Sequence, residues 1–191
     1  MTDVLNNIDV SILYWVNGHH SDFLDQVMIF ASGKLTWIVF YLFLLFLIIK
    51  KYKYKAVLAV LFIAIAITLS DQASVRLFKN IFLRLRPCHQ PDIMENLRMI
   101  IGCGGQYGFV SSHAANSFAL IAFIIPLLQK RWISVMMIIW GILIIYSRVY
   151  LGVHYPSDVI AGSMVGLIAG GIAFYLFFLA NKIWEKPISD I

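Results

Sequence analysis

Three short stretches of this chain carry residue types suited to holding an anion and moving protons. The first is residues 79–87, KNIFLRLRP. Seven positions on a helix turn through about 700°, so Lys79 and Arg86 are expected on one face, about two turns apart, with Arg84 pointing elsewhere. Pro87 disfavours helix at Arg86 and marks a helix end there. The second is residues 108–117, GFVSSHAANS. Ser111 or Ser112 can cap a helix whose free backbone N–H groups and positive end attract anions, with His113 in its first turn. The third is residues 147–158, SRVYLGVHYPSD. Pro156 suits a first helical position, which puts Asp158 in the first turn, able to reach back to His154. A carboxylate on one imidazole nitrogen fixes the tautomer and leaves the other nitrogen as nucleophile or base. Two histidines and a carboxylate are also a possible zinc set, so His113, His154 and Asp158 have a metal-ligand reading beside the catalytic one. The ordinary alternatives are basic side chains snorkelling to head groups and a capped helix with an interfacial histidine.

The elements that must position these residues are membrane spans. The chain has 191 residues, 61% of them hydrophobic and 13% charged, against roughly 45–50% apolar for soluble domains. One membrane-embedded domain covering 1–191 is expected, all-α, as a bundle of five transmembrane helices over 35–49, 56–69 (continuing as helix toward Arg84), 118–128, 132–146 and 159–180. Residues 4–16 and 23–31 mix Asp and Asn with Ile, Leu, Trp and Phe, so 1–33 reads as interfacial amphipathic helices, with a sixth span there as the alternative. The N-terminus lacks the basic n-region of a signal peptide, and residue 1 is expected in the mature chain.

Charge placement orients the bundle. Lys50, Lys51, Lys53 and Lys55 fall between spans one and two, Lys130 and Arg131 between three and four, and Lys182 and Lys186 after span five. Alternating spans put all of these on one side, cytoplasmic by the positive-inside rule. The N-terminal segment has no Lys or Arg before Lys34 but carries Asp3, Asp9, Asp22 and Asp25, and it falls outside. The same alternation brings all three chemical stretches to the outer end, together with Arg76, Lys79, Arg84, Arg86, Arg98 and Arg148. A basic cluster on that side is explained most simply by anion binding.

Taken together, these residues resemble the type 2 phosphatidic acid phosphatase superfamily. Its signature is Lys, six residues, Arg-Pro; then Pro-Ser-Gly-His; then Ser-Arg, five residues, His, three residues, Asp. Lys79, Arg86 and Pro87 match the first part, and Ser147, Arg148, His154 and Asp158 the third. The second matches at Ser111 and His113, with Val110 and Ser112 in place of Pro and Gly; Ser112 keeps its backbone N–H. The resemblance implies that His154 attacks phosphorus to form a phosphohistidine, that Asp158 orients it, and that His113 protonates the departing oxygen. Lys79, Arg86, Arg148, Ser111 and Ser112 would hold the phosphoryl oxygens. It implies no metal, no cofactor and no nucleic-acid partner, only a phosphorylated lipid of the bilayer.

The implied activity is a lipid phosphatase of a bacterial inner membrane with an extracytoplasmic site, acting on undecaprenyl diphosphate, a lipid A phosphate or phosphatidylglycerol phosphate. A lipid-to-lipid phosphotransferase is the nearest alternative. A transporter using Asp71, Gln72 and Arg76 is a more distant one, since no internal repeat or paired broken spans support it. The extracytoplasmic loop 87–111 holds both cysteines, Cys88 and Cys103. Their spacing allows a disulfide, and two unpaired thiols are an equal reading. Selectivity is expected from the N-terminal segment and residues 88–108, of which 94–101 could cover the site.

Overall fold

The apolar runs fold as helices, as their lengths require once backbone groups must be satisfied away from water. The computed structural model describes residues 2–33 and 35–184. Lys186, one of the orienting charges, and Lys34, the first basic residue of the chain, lie outside the described residues, as does the side chain of Asp3. The order is α1 Thr2–Gly18, α2 Asp22–Ser32, α3 Ile38–Tyr52, α4 Ala56–Gln72, α5 Ser112–Leu128, α6 Arg131–Tyr150 and α7 Pro156–Trp184. Helix α4 runs on through a π-helical stretch, Ala73–Lys79, and a last turn, Asn80–Phe82. Among the described residues, helix is the only extended regular structure, with one isolated antiparallel bridge between Leu85 and Tyr107.

Among the described residues, three helical stretches are long and apolar enough to cross a membrane: Ile38–Phe82, Arg131–Tyr150 and Pro156–Trp184. The first, 45 residues long, is two rods, because Lys53 at φ 53° breaks it after α3 and α4 packs back on α3. Helix α5 is shorter, at 17 residues, and occupies the centre. It packs on α7, α4 and α6, and Ala114, Ala115, Ala119, Phe123, Ile124 and Leu127 are fully buried. Outward faces stay apolar, as at Val39, Ile139 and Ile168, which suits hydrocarbon. The protein is an integral membrane protein.

The two ends of the bundle differ as the lysine placement requires. At one end Lys51 Nζ donates to the Leu127 carbonyl at 2.6 Å, Tyr52 Oη donates to the same carbonyl, and Tyr54 meets Trp184, so the basic connections gather. At the other, the start of α5, the start of α7 and the segment after α4 converge.

The N-terminal helices pack against α6 and α7 with Val4, Leu5, Ile8, Ile12 and Trp15 exposed. Their inward face carries polar residues: Asp9, Asn17 and Asp25 are all buried. Each is satisfied by a neighbour, as burial of a polar group demands. Asn17 Nδ2 donates to the Tyr150 carbonyl at 2.7 Å, and its Oδ1 accepts from the Arg98 N–H at 2.9 Å. Asp25 is paired with Arg98 at 2.5 Å and accepts from Tyr150 Oη at 2.7 Å. The Arg98 hydrogen bond holds the Asp25 carboxyl below its ordinary range.

Candidate active site

The link between α6 and α7 builds the centre. Helix α6 closes with the Val153 N–H on the Arg148 carbonyl at 3.2 Å, and Gly152 at φ 70° turns the chain where a side chain would be strained. Pro156 starts α7 as its fixed φ favours. Asp158 therefore sits in the first turn with Oδ2 3.2 Å from His154 Nδ1 and 3.1 Å from the Tyr155 N–H that it accepts. Both side chains are buried, His154 at 1% exposure and Asp158 at 0%. The reach from Asp158 to His154 expected from spacing is present.

Around this pair stand the cations. Arg86, Arg148 and Lys79 all bear on His154, and burial together with these charges depresses its pKa well below the ordinary imidazole value. In a neutral ring of this placement a proton on Nδ1 toward Asp158 leaves Nε2 as the basic nitrogen. Lys79 Nζ donates to Ser112 Oγ at 2.7 Å. Arg148 is 6% exposed; its Nη1 donates to Ser32 Oγ, whereas its buried Nε has no partner among the described residues. Ser111 occupies the cap position of α5 without a side-chain capping bond. Its N–H donates to the Asp158 carbonyl at 3.0 Å, and its buried Oγ is also without a partner. Donors left over beside a helix N-terminus are what an anion site requires.

Lys79 and Arg86 reach this place by a different route from a shared helix face. Leu83 at φ 48° takes the left-handed conformation and ends the helix after Phe82, four residues before Pro87. Arg86 is extended and tied to the following loop, its N–H on the Gln106 carbonyl at 3.0 Å and Nη1 on the Cys103 carbonyl at 2.8 Å. Cys103 is disulfide-bonded to Cys88, with Cα atoms 5.8 Å apart, so the open question of the cysteines resolves to a bridge. The bridge closes the loop whose Cys103 carbonyl accepts from Arg86.

Arg84, expected to point elsewhere, is the hub. Its Nη1 donates to Asp158 Oδ1 at 3.0 Å and its Nη2 to Asp9 Oδ2 at 2.7 Å, and the guanidinium lies 4.0 Å from the centre of the Tyr155 ring. Asp9 Oδ1 accepts from the Ser157 N–H at 2.9 Å, and Ser157 Oγ donates to Asp9 Oδ2. Burial pushes the Tyr155 hydroxyl up to about 12. The sequence put Arg84 in the outer basic cluster and Asp9 on the same side, but gave neither a role beside His154 and Asp158. The available signal was an acidic residue on an apolar helix and an extra arginine inside the first motif.

His113 lies in the first turn of α5 and lines a cavity of about 570 Å³ with Ser112, Asp71 and Asn116 at its polar end. The other walls are apolar and include Trp37, Leu44, Ile48, Ile63 and Ile124. From Ser112 to Ile124 is roughly 18 Å along the axis. The metal-ligand reading finds no geometry, since among the described residues no group of three or more His, Cys, Asp or Glu could hold an ion.

Fold and site together define an integral membrane helical protein with a buried imidazole–carboxylate pair among three cations. The family model of the PAP2 superfamily matches residues 61–182, and the chain belongs to that superfamily. It is 38% identical over 193 residues to the lipid A 4'-phosphatase of Bacteroides thetaiotaomicron, covering 100% of this chain and 84% of that protein. The lipid A 4'-phosphatase of Porphyromonas gingivalis is 33% identical over 181 residues, 93% of this chain and 76% of its own. Among solved structures, that of Aquifex aeolicus LpxE superimposes with a TM-score of 0.68 at 25% identity, over 86% of this chain and 93% of that one.

Proposed function

We propose that this protein is a lipid phosphatase that removes phosphate from a lipid A type substrate through a phosphohistidine at His154, on the extracytoplasmic face of the inner membrane. The observation that carries the reading is the buried His154 held by Asp158 at 3.2 Å, on which Arg86, Arg148 and Lys79 bear. In the first step Nε2 of His154 forms a bond to phosphorus as the bond from phosphorus to the lipid oxygen breaks, and His113 gives its proton to that oxygen. In the second, water attacks phosphorus, His113 takes the water's proton, and the bond to Nε2 breaks to release inorganic phosphate. Asp158 keeps the proton on Nδ1 throughout and steadies the imidazolium character that develops. The three cations with Ser111, Ser112 and the N–H groups at the start of α5 bind the phosphoryl oxygens, whose charge rises toward the transition state.

The apolar cavity beside His113 accommodates part of the lipid. Basic residues at the opposite end of the bundle support the outward orientation of the site, with α1 and α2 at the interface and residues 87–111 outside. Likeness over 100% and 93% of the chain to two lipid A 4'-phosphatases favours that substrate over undecaprenyl diphosphate and phosphatidylglycerol phosphate. Phosphate release by the purified protein from these three lipids, in one detergent and at matched concentration, tests the choice. Fastest turnover is expected on lipid A phosphate; faster turnover of either other lipid contradicts the substrate, and release from none contradicts the activity.

A further inference from the structure

Asp71 is an ionisable side chain inside a membrane-crossing helix, and the chemistry above does not use it. A carboxylate at such depth is costly unless it faces a cavity or a partner, and marks a functional position by default. It faces the cavity that begins at His113. The single hydrogen bond it receives among the described residues is a long one, from Asn116 Nδ2 to Oδ1 at 3.4 Å. Ser70 Oγ donates to Asn116 Oδ1 at 2.6 Å, closer than its other acceptor, the Ile67 carbonyl at 3.0 Å, an arrangement that turns the Asn116 N–H toward Asp71. Lys79, the cation that Asp71 bears on, is already engaged by Ser112 Oγ. Asn116 follows Ser112 by four residues on α5, about 6 Å along the axis. The polar pair therefore stands one helical turn deeper than the phosphate-facing end, on the wall of an otherwise apolar space.

We propose that Asp71, oriented by Asn116, is a specificity-determining subsite that accepts a hydrogen bond from an amide N–H or hydroxyl carried by the lipid close to its phosphate. The proposal rests on the lipid phosphatase reading and narrows it. Lipid phosphates with such a donor are preferred, and lipids whose chain next to the phosphate is plain hydrocarbon leave the carboxylate desolvated and unmatched. A site built to accept a hydrogen bond discriminates strongly against an analogue lacking the donor, because its own buried polar group is then unpaired.

Two synthetic acylated sugar phosphates test this, identical except that one acyl chain beside the phosphate is joined through an amide N–H in one and an ester oxygen in the other. The wild-type protein is expected to show kcat/KM at least about tenfold higher for the amide. Asp71→Ala brings the ratio to about one, and Asn116→Leu lowers it partway, whatever either does to absolute rates. A wild-type ratio near one overturns the proposal while leaving the phosphatase reading in place, and it does so even where Asp71→Ala fails to fold. An unchanged ratio in folded Asp71→Ala does the same. Absence of phosphate release from both compounds in the wild type contradicts the phosphatase reading, and the proposal with it.

Discussion

Helix α7 and helix α1 both hold the start of the His154–Asp158 centre, one by packing and the other by charge. Along α7, Gly162, Gly166 and Gly170 recur every four residues and face the cap residue Ser111 and Ala115 and Ala119 of α5 so closely that a Cβ on Gly166 or Gly170 would overlap backbone. Small residues at this spacing let two helices meet along their backbones where no hydrophobic drive separates helix from lipid. Helix α1 makes no such seam. It exposes much of its apolar surface and is tied through Asp9 to Arg84 and Ser157. The packed seam sets the position of Asp158 with few alternatives, whereas the polar tie sets its hydrogen bonding and can be altered one atom at a time.

The largest effect is expected from breaking the seam. Gly166→Leu must force α5 and α7 apart at the Ala115 carbonyl, a change expected to cost at least about 3 kcal/mol and to abolish activity. Thermal unfolding in detergent checks it, and a melting temperature within a few degrees of wild type would show that the seam is slack. Breaking the tie comes next. Arg84→Ala leaves Asp158 and Asp9 without their shared cation and is expected to lower kcat by about 100-fold with the fold retained. Asp9→Asn is milder, about tenfold. The double variant falls short of the product of the two, since they act through one network, and full additivity in such a cycle would mean that they act separately.

A smaller effect concerns pH. Because burial, and after it the cations, hold the His154 pKa down, the acid limb of kcat/KM is expected well below pH 6.5. Removing Arg86 as Arg86→Gln takes away a positive charge that opposes the imidazolium, so the His154 pKa rises and the acid limb moves to higher pH. A pH-rate profile of the two proteins reads the sign directly; a limb that stays put or moves to lower pH contradicts it. The smallest expected effect is at the loop. Cys103→Ser frees the segment whose carbonyl holds Arg86 and is expected to raise KM several-fold with kcat less affected, as for loss of a binding contact. An unchanged KM would show that Arg86 is positioned without the bridge.

Much of this was readable from residue order. Runs of apolar residues long enough to cross a bilayer, and lysines in alternate connections, gave the bundle and the convergence of three distant stretches at one end. The reach of Asp158 to His154 needed only Pro156 and helical spacing. Local conformation was not readable: the left-handed Leu83 that ends α4 early is a leucine in a run of good helix formers, and tertiary contacts of the following loop override that propensity. Nor was the partnership of Asp9 with Arg84, 75 residues apart in sequence, since no periodicity links an N-terminal helix to a distant motif. The cavity and the Asp71–Asn116 pair likewise exist only once α4 and α5 are packed.

The central claim is that His154 carries the phosphoryl group. Rapid acid-free quenching of the purified protein with a ³²P-labelled lipid phosphate, followed by peptide mapping, measures it most directly. An acid-labile label on His154 is expected, formed and lost at rates matching turnover, with neither label nor turnover in folded His154→Ala. Label on another residue, or phosphate release at the wild-type rate by His154→Ala, would contradict it.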